Sequence, residues 1–305
     1  MAAWIDALLP TFALIALGGF LRWRLLPDMA IWAGMEALTF WVLLPALLAA
    51  AISTIDLATL PLGGMAGAIW IAVAAATASA IGLARALGHG HAALTSVVQG
   101  GVRFNNFVAF SIVGGLYGVP GVALGGVAAG LIVPVVQVTI TLVFALGGGR
   151  RFDPIRLGRQ LVTNPLLIGC AVGYALALSG GMPPGLGPLA KLLGQAAVVL
   201  GLLCVGAALS LGALREAPVT QILVGAQKLV AVPLATLAGA RLIGLDPLPA
   251  AVAVMVMATP TAPTSYVMAR AMGGDARLMA AMISLQHLAS VATLPLWALW
   301  LAKGL

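Results

Sequence analysis

Met257-Ala258-Thr259-Pro260-Thr261-Ala262-Pro263-Thr264-Ser265 places two prolines and four hydroxyl residues in the middle of an apolar segment. An apolar segment in hydrocarbon is expected to be one unbroken helix, because every unpaired backbone group there is expensive. Pro260 and Pro263 have no amide hydrogen and clash with the preceding turn, which predicts that the helix opens between them. Opened backbone is tolerated at membrane depth only where protein or a water-filled cavity covers it. About half a chain earlier, a second apolar segment is interrupted by Arg103-Phe104-Asn105-Asn106. Interruptions at corresponding positions of two halves point to the substrate site of a transporter.

Composition agrees with a membrane protein. The chain is 62% hydrophobic and 8% charged, with a mean hydropathy of +1.13, far from a soluble domain. Its 305 residues hold about ten spans of roughly 20–28 residues and little else. The net charge of +7 does not indicate nucleic acid, since the basic residues sit in short loops and no basic face with interleaved aromatics occurs. Cys170 and Cys204 lie inside apolar segments without ligand spacing and read as small buried hydrophobes. Near the start, Asp6 and Pro10 break the layout of a signal peptide, so the first apolar run is expected to remain as a membrane helix.

Apolar runs fall near 4–22, 31–53, 61–86, 92–117, 120–146, 163–179, 188–213, 218–242, 247–270 and 276–302. The longest polar connection, 147–160, separates a first half, 1–146, from a second, 161–305. Five spans per half send the second half into the membrane in the opposite direction, so similar halves form an inverted repeat. An offset of 155 residues aligns Pro10 with Pro165, Gly118 with Gly273 and Asn105 with Pro260. Span order and the paired interruptions carry this repeat more than identities do.

Orientation follows from lysine and arginine. With the N-terminus outside, Arg22, Arg24, Arg85, Arg150, Arg151, Arg156, Arg159, Arg215, Arg270 and Arg277 face the cytoplasm, against Lys191, Arg241 and Lys303 on the other side. Both termini are therefore expected to be extracytoplasmic.

The chemistry centres on the interruptions. If spans four and nine unwind and cross, each presents a half-helix N-terminus with partial positive charge and free amides, suited to an anion. Asn105 and Asn106 from one half, and Thr261, Thr264 and Ser265 from the other, could cap these ends or bind a carboxylate. Kinked helices whose hydroxyls satisfy their own backbone are the plainer alternative. Arg103 and Lys228 are cations within spans, where a charge usually faces the bundle interior and marks a substrate path. Arg103 could instead snorkel to an interface. Lys228 could instead bridge carbonyls freed by Pro233 or by the opened ninth segment, and a desolvated lysine is also a candidate for proton coupling.

The eight acidic residues lie in loops or towards span ends, which leaves no central carboxylate pair for sodium or a proton relay. Cations without anions at depth make an anion the expected cargo. Gln137, Gln286 and His287 are secondary candidates for lining the path, as is Pro45; a lone histidine in a bundle is more often a neutral hydrogen-bonded residue. Templates for hydrolases, metalloproteases and nucleotide binding are missing, so no enzyme, metal or cofactor is expected.

With these residues in hand, the chain resembles the auxin efflux carrier family, in particular its short bacterial members of malonate- or malate-permease type. The resemblance spans the whole length and is carried by Pro10 with Gly18-Gly19, Leu43-Leu44-Pro45, Asn105-Asn106, Asn164-Pro165-Leu166, Val205-Gly206-Ala207, Lys228, and Thr259-Pro260-Thr261-Ala262-Pro263 before Gly273-Gly274-Asp275. It implies an all-α fold of ten transmembrane helices, in two inverted five-helix repeats with crossing broken helices four and nine, similar to sodium–proton antiporters. It also implies a scaffold and a transport domain, alternating access, a substrate site including Asn105, Asn106, Pro260 and Pro263, a bacterial cytoplasmic-membrane location and a homodimer as an option. Unlike the plant members, this chain has no long central hydrophilic loop and no proline in the first crossover.

The expected function is secondary transport of a small organic anion, a mono- or dicarboxylate. A sodium-coupled symporter of bile-acid type, an intramembrane lipid or isoprenoid enzyme, and a sensor that binds without flux are the rival readings.

Overall fold

The structure, a computed structural model, describes residues 2–54, 60–146 and 153–303, and every regular element among them is helical. Helix α1, Ala2–Arg24, is followed by α2, Met29–Leu38, which runs through a π-helical turn, Thr39–Leu43, into α3, Leu44–Ile52. Then come α4, Leu62–Ala86, and α5, His91–Val102. Helix α6, Asn106–Ala145, is broken inside by Gly118, whose φ of 62° and ψ of −149° lie where essentially only glycine goes. Helices α7, Pro154–Val162, α8, Pro165–Leu178, and α9, Leu186–Ala208, follow. Helix α10, Pro218–Ala226, continues through a second π-helical turn, Gln227–Ala231, into α11, Val232–Ile243. The chain ends with α12, Pro247–Met257, α13, Thr264–Met272, and α14, Ala276–Ala302.

Six of these helical stretches are long and apolar enough to cross a membrane, and α8 and α12 are shorter apolar helices. Large apolar side chains such as Trp41, Ile71, Leu192 and Leu296 are more than half exposed, a surface suited to lipid and costly in water. The chain is an integral membrane protein.

Helices occupy all the apolar runs expected from the sequence, with two differences. The seventh run was expected to continue to 213, but α9 stops at Ala208. There the amide of Ser210 leaves the helix to donate to Ser284 Oγ at 2.9 Å, and a short 3₁₀ turn, Leu211–Arg215, follows. The connection 147–160 is not all loop. Residues 147–152 lie outside the described residues, and from Pro154 the chain is helical. Asp153 Oδ1 accepts from Ile155 N at 3.0 Å, and proline at the first helical position forfeits no bond. Leu157 of this short helix is buried while Ile155 and Arg159 are exposed.

The chain divides into two compact units, each drawn from both halves of the sequence. The first comprises Met1–Leu62, Asn106–Leu131 and Gly158–Ala208. Here α1 packs on α9, and α3 on α8 and α9. A Cβ on Gly18 would run into the Leu203 backbone, and one on Gly206 into the Ile15 carbonyl. The same closeness joins α3 to α8, where a Cβ on Gly169 would stand 2.8 Å from the Pro45 backbone. Small residues thus let helix backbones touch, the usual adhesive where lipid supplies no hydrophobic drive.

The second unit comprises Gly63–Asn105, Ile132–Leu157 and Leu209–Leu305. Ala68, Ala240 and Ala250 form a tight cluster between α4, α11 and α12. Helix α14 turns a polar stripe inward, with Ser284, Gln286, His287 and Ser290 all buried. Both helix interruptions are organised in this unit.

Candidate functional site

The first interruption begins where α5 ends. Arg103 N makes the last helical bond, to Gln99 O at 3.0 Å, and Arg103 then turns extended with φ −73° and ψ 155°. Phe104 and Asn105 continue outside any helix before α6 starts at Asn106. This leaves the terminal carbonyls of α5 without helical donors. The carbonyl of Gly100 recovers two donors, Thr261 Oγ1 at 2.8 Å and Gln286 Nε2 at 2.9 Å.

The second interruption lies between α12 and α13. Ala258 N and Thr259 N still bond back, to Val254 O at 2.8 Å and Val256 O at 3.3 Å. Pro260 then has no hydrogen to offer, and Thr261 N turns away to Gln286 Oε1 at 2.9 Å. The carbonyl of Met257 loses both helical partners and receives Lys228 Nζ at 2.8 Å. Lys228 comes from the π-helical turn Gln227–Ala231 and is fully buried.

One side chain on α14 therefore serves both breaks. Gln286 spends its carbonyl oxygen on Thr261 N and its amide nitrogen on Gly100 O. Thr259 Oγ1 adds a longer contact, 3.4 Å from Asn105 N, while itself donating to Val256 O at 2.7 Å. Asn105 Nδ2 meets His287 Nε2 at 3.1 Å, and His287 Nδ1 meets Ile283 O at 2.7 Å. Two irregular segments far apart in sequence are thus tied into one polar frame inside an apolar unit.

Arg103 stands at the first turn of α13. Its guanidinium donates to Met268 Sδ at 2.9 Å and to Thr264 Oγ1 at 3.4 Å. Among the described residues no carboxylate pairs with Arg103 or with Lys228. The guanidinium and the α13 N-terminus present positive charge on the same side of the second break. Ser265 Oγ, one residue into that helix, is buried without a hydrogen-bond partner, as is Asn106 Oδ1. Such an arrangement can take up a carboxylate, with the guanidinium offering a fork of donors and the hydroxyls completing its shell.

Of the residues singled out from sequence, Arg103, Asn105, Thr261, Thr264, Gln286 and His287 share this bonded frame, and Lys228 joins it through Met257 O. Pro260 is buried and Pro263 half-buried between them. Gln137 is half-buried on α6, its carbonyl taking Thr141 Oγ1 at 2.8 Å. Pro45 belongs to the first unit, against Gly169. Gln99 was not anticipated; it is fully buried, one helical turn before Arg103, and neither end of its carboxamide has a partner. Its spacing of four residues from Arg103 was the available signal. Among the described residues no three His, Cys, Asp or Glu side chains converge as a metal site would require.

Residues 154–298 match the family model described as membrane transport protein, that of the auxin efflux carriers. The matched part runs from α7 through most of α14 and so contains Lys228, the second interruption, Gln286 and His287. The family so matched is one of membrane transporters. No curated protein matches it.

Proposed function

We propose that this auxin-efflux-carrier-like protein moves a small organic anion, a mono- or dicarboxylate, across the bacterial cytoplasmic membrane by alternating access. In this reading the chain makes ten spans arranged as two inverted five-helix repeats, 1–146 and 161–305, with both termini extracytoplasmic. The carboxylate binds at the second break, against the guanidinium of Arg103, the hydroxyls of Thr264 and Ser265 and the N-terminus of α13, with Asn105 and its chain neighbour Asn106 supplying amides. Thr261, Gln286 and His287 keep the opened backbone in shape, and Pro260 and Pro263 keep it open.

The observation that carries this reading is the position of Arg103. A half-buried guanidinium reaches the first residue of a helix, Thr264, and among the described residues no carboxylate opposes it. Two positive features placed together attract an anion and repel a cation.

Counterflow of labelled carboxylates in proteoliposomes, with and without a pH gradient, tests the proposal. Asn106→Ala removes an amide from the site, and Pro260→Ala supplies the missing N–H that lets the helix rejoin. Each is expected to abolish uptake while the protein still elutes as a folded species. Uptake unchanged in both variants rejects the site.

A further inference from the structure

Gln99 on α5 and Ser265 on α13 are fully buried, and among the described residues their side-chain polar atoms have no hydrogen-bond partner. Contacts on either side of them place the two on facing surfaces of these helices. Just past one end of α13, Ser96 Oγ donates to Asp275 O at 3.0 Å. At the other end Arg103 Nη2 reaches Thr264 Oγ1 at 3.4 Å. Gln99 falls between Ser96 and Arg103, at the spacing that puts all three on one face of α5. Ser265 follows Thr264 directly. The seam between α5 and α13 thus shuts over Gln99 Nε2, Gln99 Oε1 and Ser265 Oγ, all unpaired. Closing such atoms away from water is unfavourable, and a folded protein that does so has a reason for it.

The chain is tied down on both sides of α13 and loosely in between. Before it, Thr261 Oγ1 donates to Gly100 O at 2.8 Å. After it, Asp275 N donates to Ala92 O at 3.0 Å, beside the bond from Ser96. Each tie is followed inward by a place to pivot. Residues 258–263 are outside any helix, and Gly273 has a φ of 83°, which favours glycine. Between the ties, among the described residues, α5 bonds to α13 through Arg103 alone, at 2.9 Å to Met268 Sδ and 3.4 Å to Thr264 Oγ1. A thioether is a weak acceptor, and 3.4 Å is long for a hydrogen bond. The opposite face of α13 is exposed at Tyr266, Val267 and Arg270, so no described helix blocks an outward turn.

We infer that α13 is a flap that turns away from α5 between the ties at Thr261 and Asp275, loaded by the unpaired atoms of Gln99 and Ser265 when it is shut. Opening lets water reach those atoms, so the shut seam is a low-stability contact inside an otherwise well-packed unit. Its coupling to transport rests on reading the second break as the substrate site. A carboxylate that takes the guanidinium of Arg103 competes with Thr264 and Met268 for it and so undoes the clasp. An anion that binds the open form better than the shut form shifts the population toward it. Gln99 is a positioning residue here, since it acts through the flap and does not touch the substrate.

Gln99→Leu removes the unpaired carboxamide at similar volume, so it should hold the flap shut. The full-length variant is expected to melt about 2 °C or more above the wild type, the opposite of what loss of a bonded glutamine does. Opening is read without substrate from Ser265→Cys, whose thiol meets a small water-soluble methanethiosulfonate when the seam parts. The wild type, with Cys170 and Cys204 buried, is the blank. Adding Gln99→Leu to Ser265→Cys is expected to slow labelling by roughly tenfold. Uptake by Gln99→Leu at low substrate concentration should fall by the same factor, because apparent affinity scales with the open fraction. Gln99→Met carries the test if the leucine variant does not fold. A melting temperature that is unchanged or lower overturns the inference, as does no labelling of Ser265→Cys, or labelling that Gln99→Leu leaves unchanged. Lost uptake with unchanged labelling makes Gln99 a substrate contact and likewise overturns it. If the wild type carries no organic anion at all, the proposed substrate falls, and melting and labelling still decide the flap.

Discussion

Asn105 and His287 are 182 residues apart in sequence and meet at 3.1 Å between Nδ2 and Nε2. His287 Nδ1 lies 2.7 Å from the carbonyl of Ile283 one turn back on α14, so Nδ1 carries the proton and donates to it. A neutral imidazole protonated there has Nε2 as an acceptor, and the Asn105 amide must then turn its nitrogen toward the ring. The histidine fixes the rotamer of the asparagine at the first break.

His287→Leu removes that acceptor. One buried hydrogen bond is worth about 0.5–1.5 kcal/mol, so the KM for the transported anion should rise by roughly 2–12-fold as Asn105 loses its orientation. His287→Gln, which can present an acceptor oxygen, should recover part of the loss. Initial rates of uptake against substrate concentration measure both.

Gln286→Leu strands Thr261 N and removes one of the two donors to Gly100 O. Each unsatisfied buried group costs about 1–3 kcal/mol, although Thr261 Oγ1 still reaches Gly100 O. A loss of about 1–4 kcal/mol is expected on that basis, read as a lower melting temperature in detergent together with loss of uptake. A variant that melts like the wild type would show that the two breaks do not depend on this side chain.

Trp297 and Pro233 should be coupled. Proline at 233 leaves Leu229 O without its helical donor, and the Trp297 indole supplies one at 2.8 Å. Trp297→Phe alone should therefore cost about 1–3 kcal/mol. In a Pro233→Ala background, which restores a backbone N–H, the same change should cost less. A double-mutant cycle on unfolding free energy with no coupling would contradict the assignment.

Gly206→Ala and Gly34→Ala should behave oppositely. A Cβ at Gly206 meets the Ile15 carbonyl, so α1 and α9 must separate at a cost of about 1–3 kcal/mol. At Gly34 nothing lies within 4 Å of the added carbon, and a helix-interior alanine should stabilise by roughly 0.5–1 kcal/mol. Melting temperatures of the two single variants distinguish them directly.

The breaks themselves were legible without coordinates because their cause is local. A proline has no N–H wherever it sits, so Pro260 and Pro263 forecast the gap between Met257 and Thr264. Arg103-Phe104-Asn105-Asn106 forecast the other gap, since a polar run inside an apolar segment needs a reason to be there. The stop of α9 at Ala208 was not legible, because it depends on Ser284 of a remote helix offering its hydroxyl to Ser210 N. Nor was the helix after Pro154, whose short apolar face is too brief to stand out beside its basic residues.

Composition and the placement of proline, glycine and charge along the chain determined by themselves that this is a helical membrane protein with two interrupted segments, since hydrocarbon admits few backbone solutions and the exceptions must be marked by unusual residues. Only the tertiary structure decided which group satisfies each backbone atom that the interruptions release. Gln286 is shared by Thr261 and Gly100, Lys228 is given to Met257, and Trp297 is given to Leu229. Those pairings depend on helix rotation and side-chain reach across the bundle. In a chain this uniformly apolar, periodicity carries little record of which face of a helix meets which.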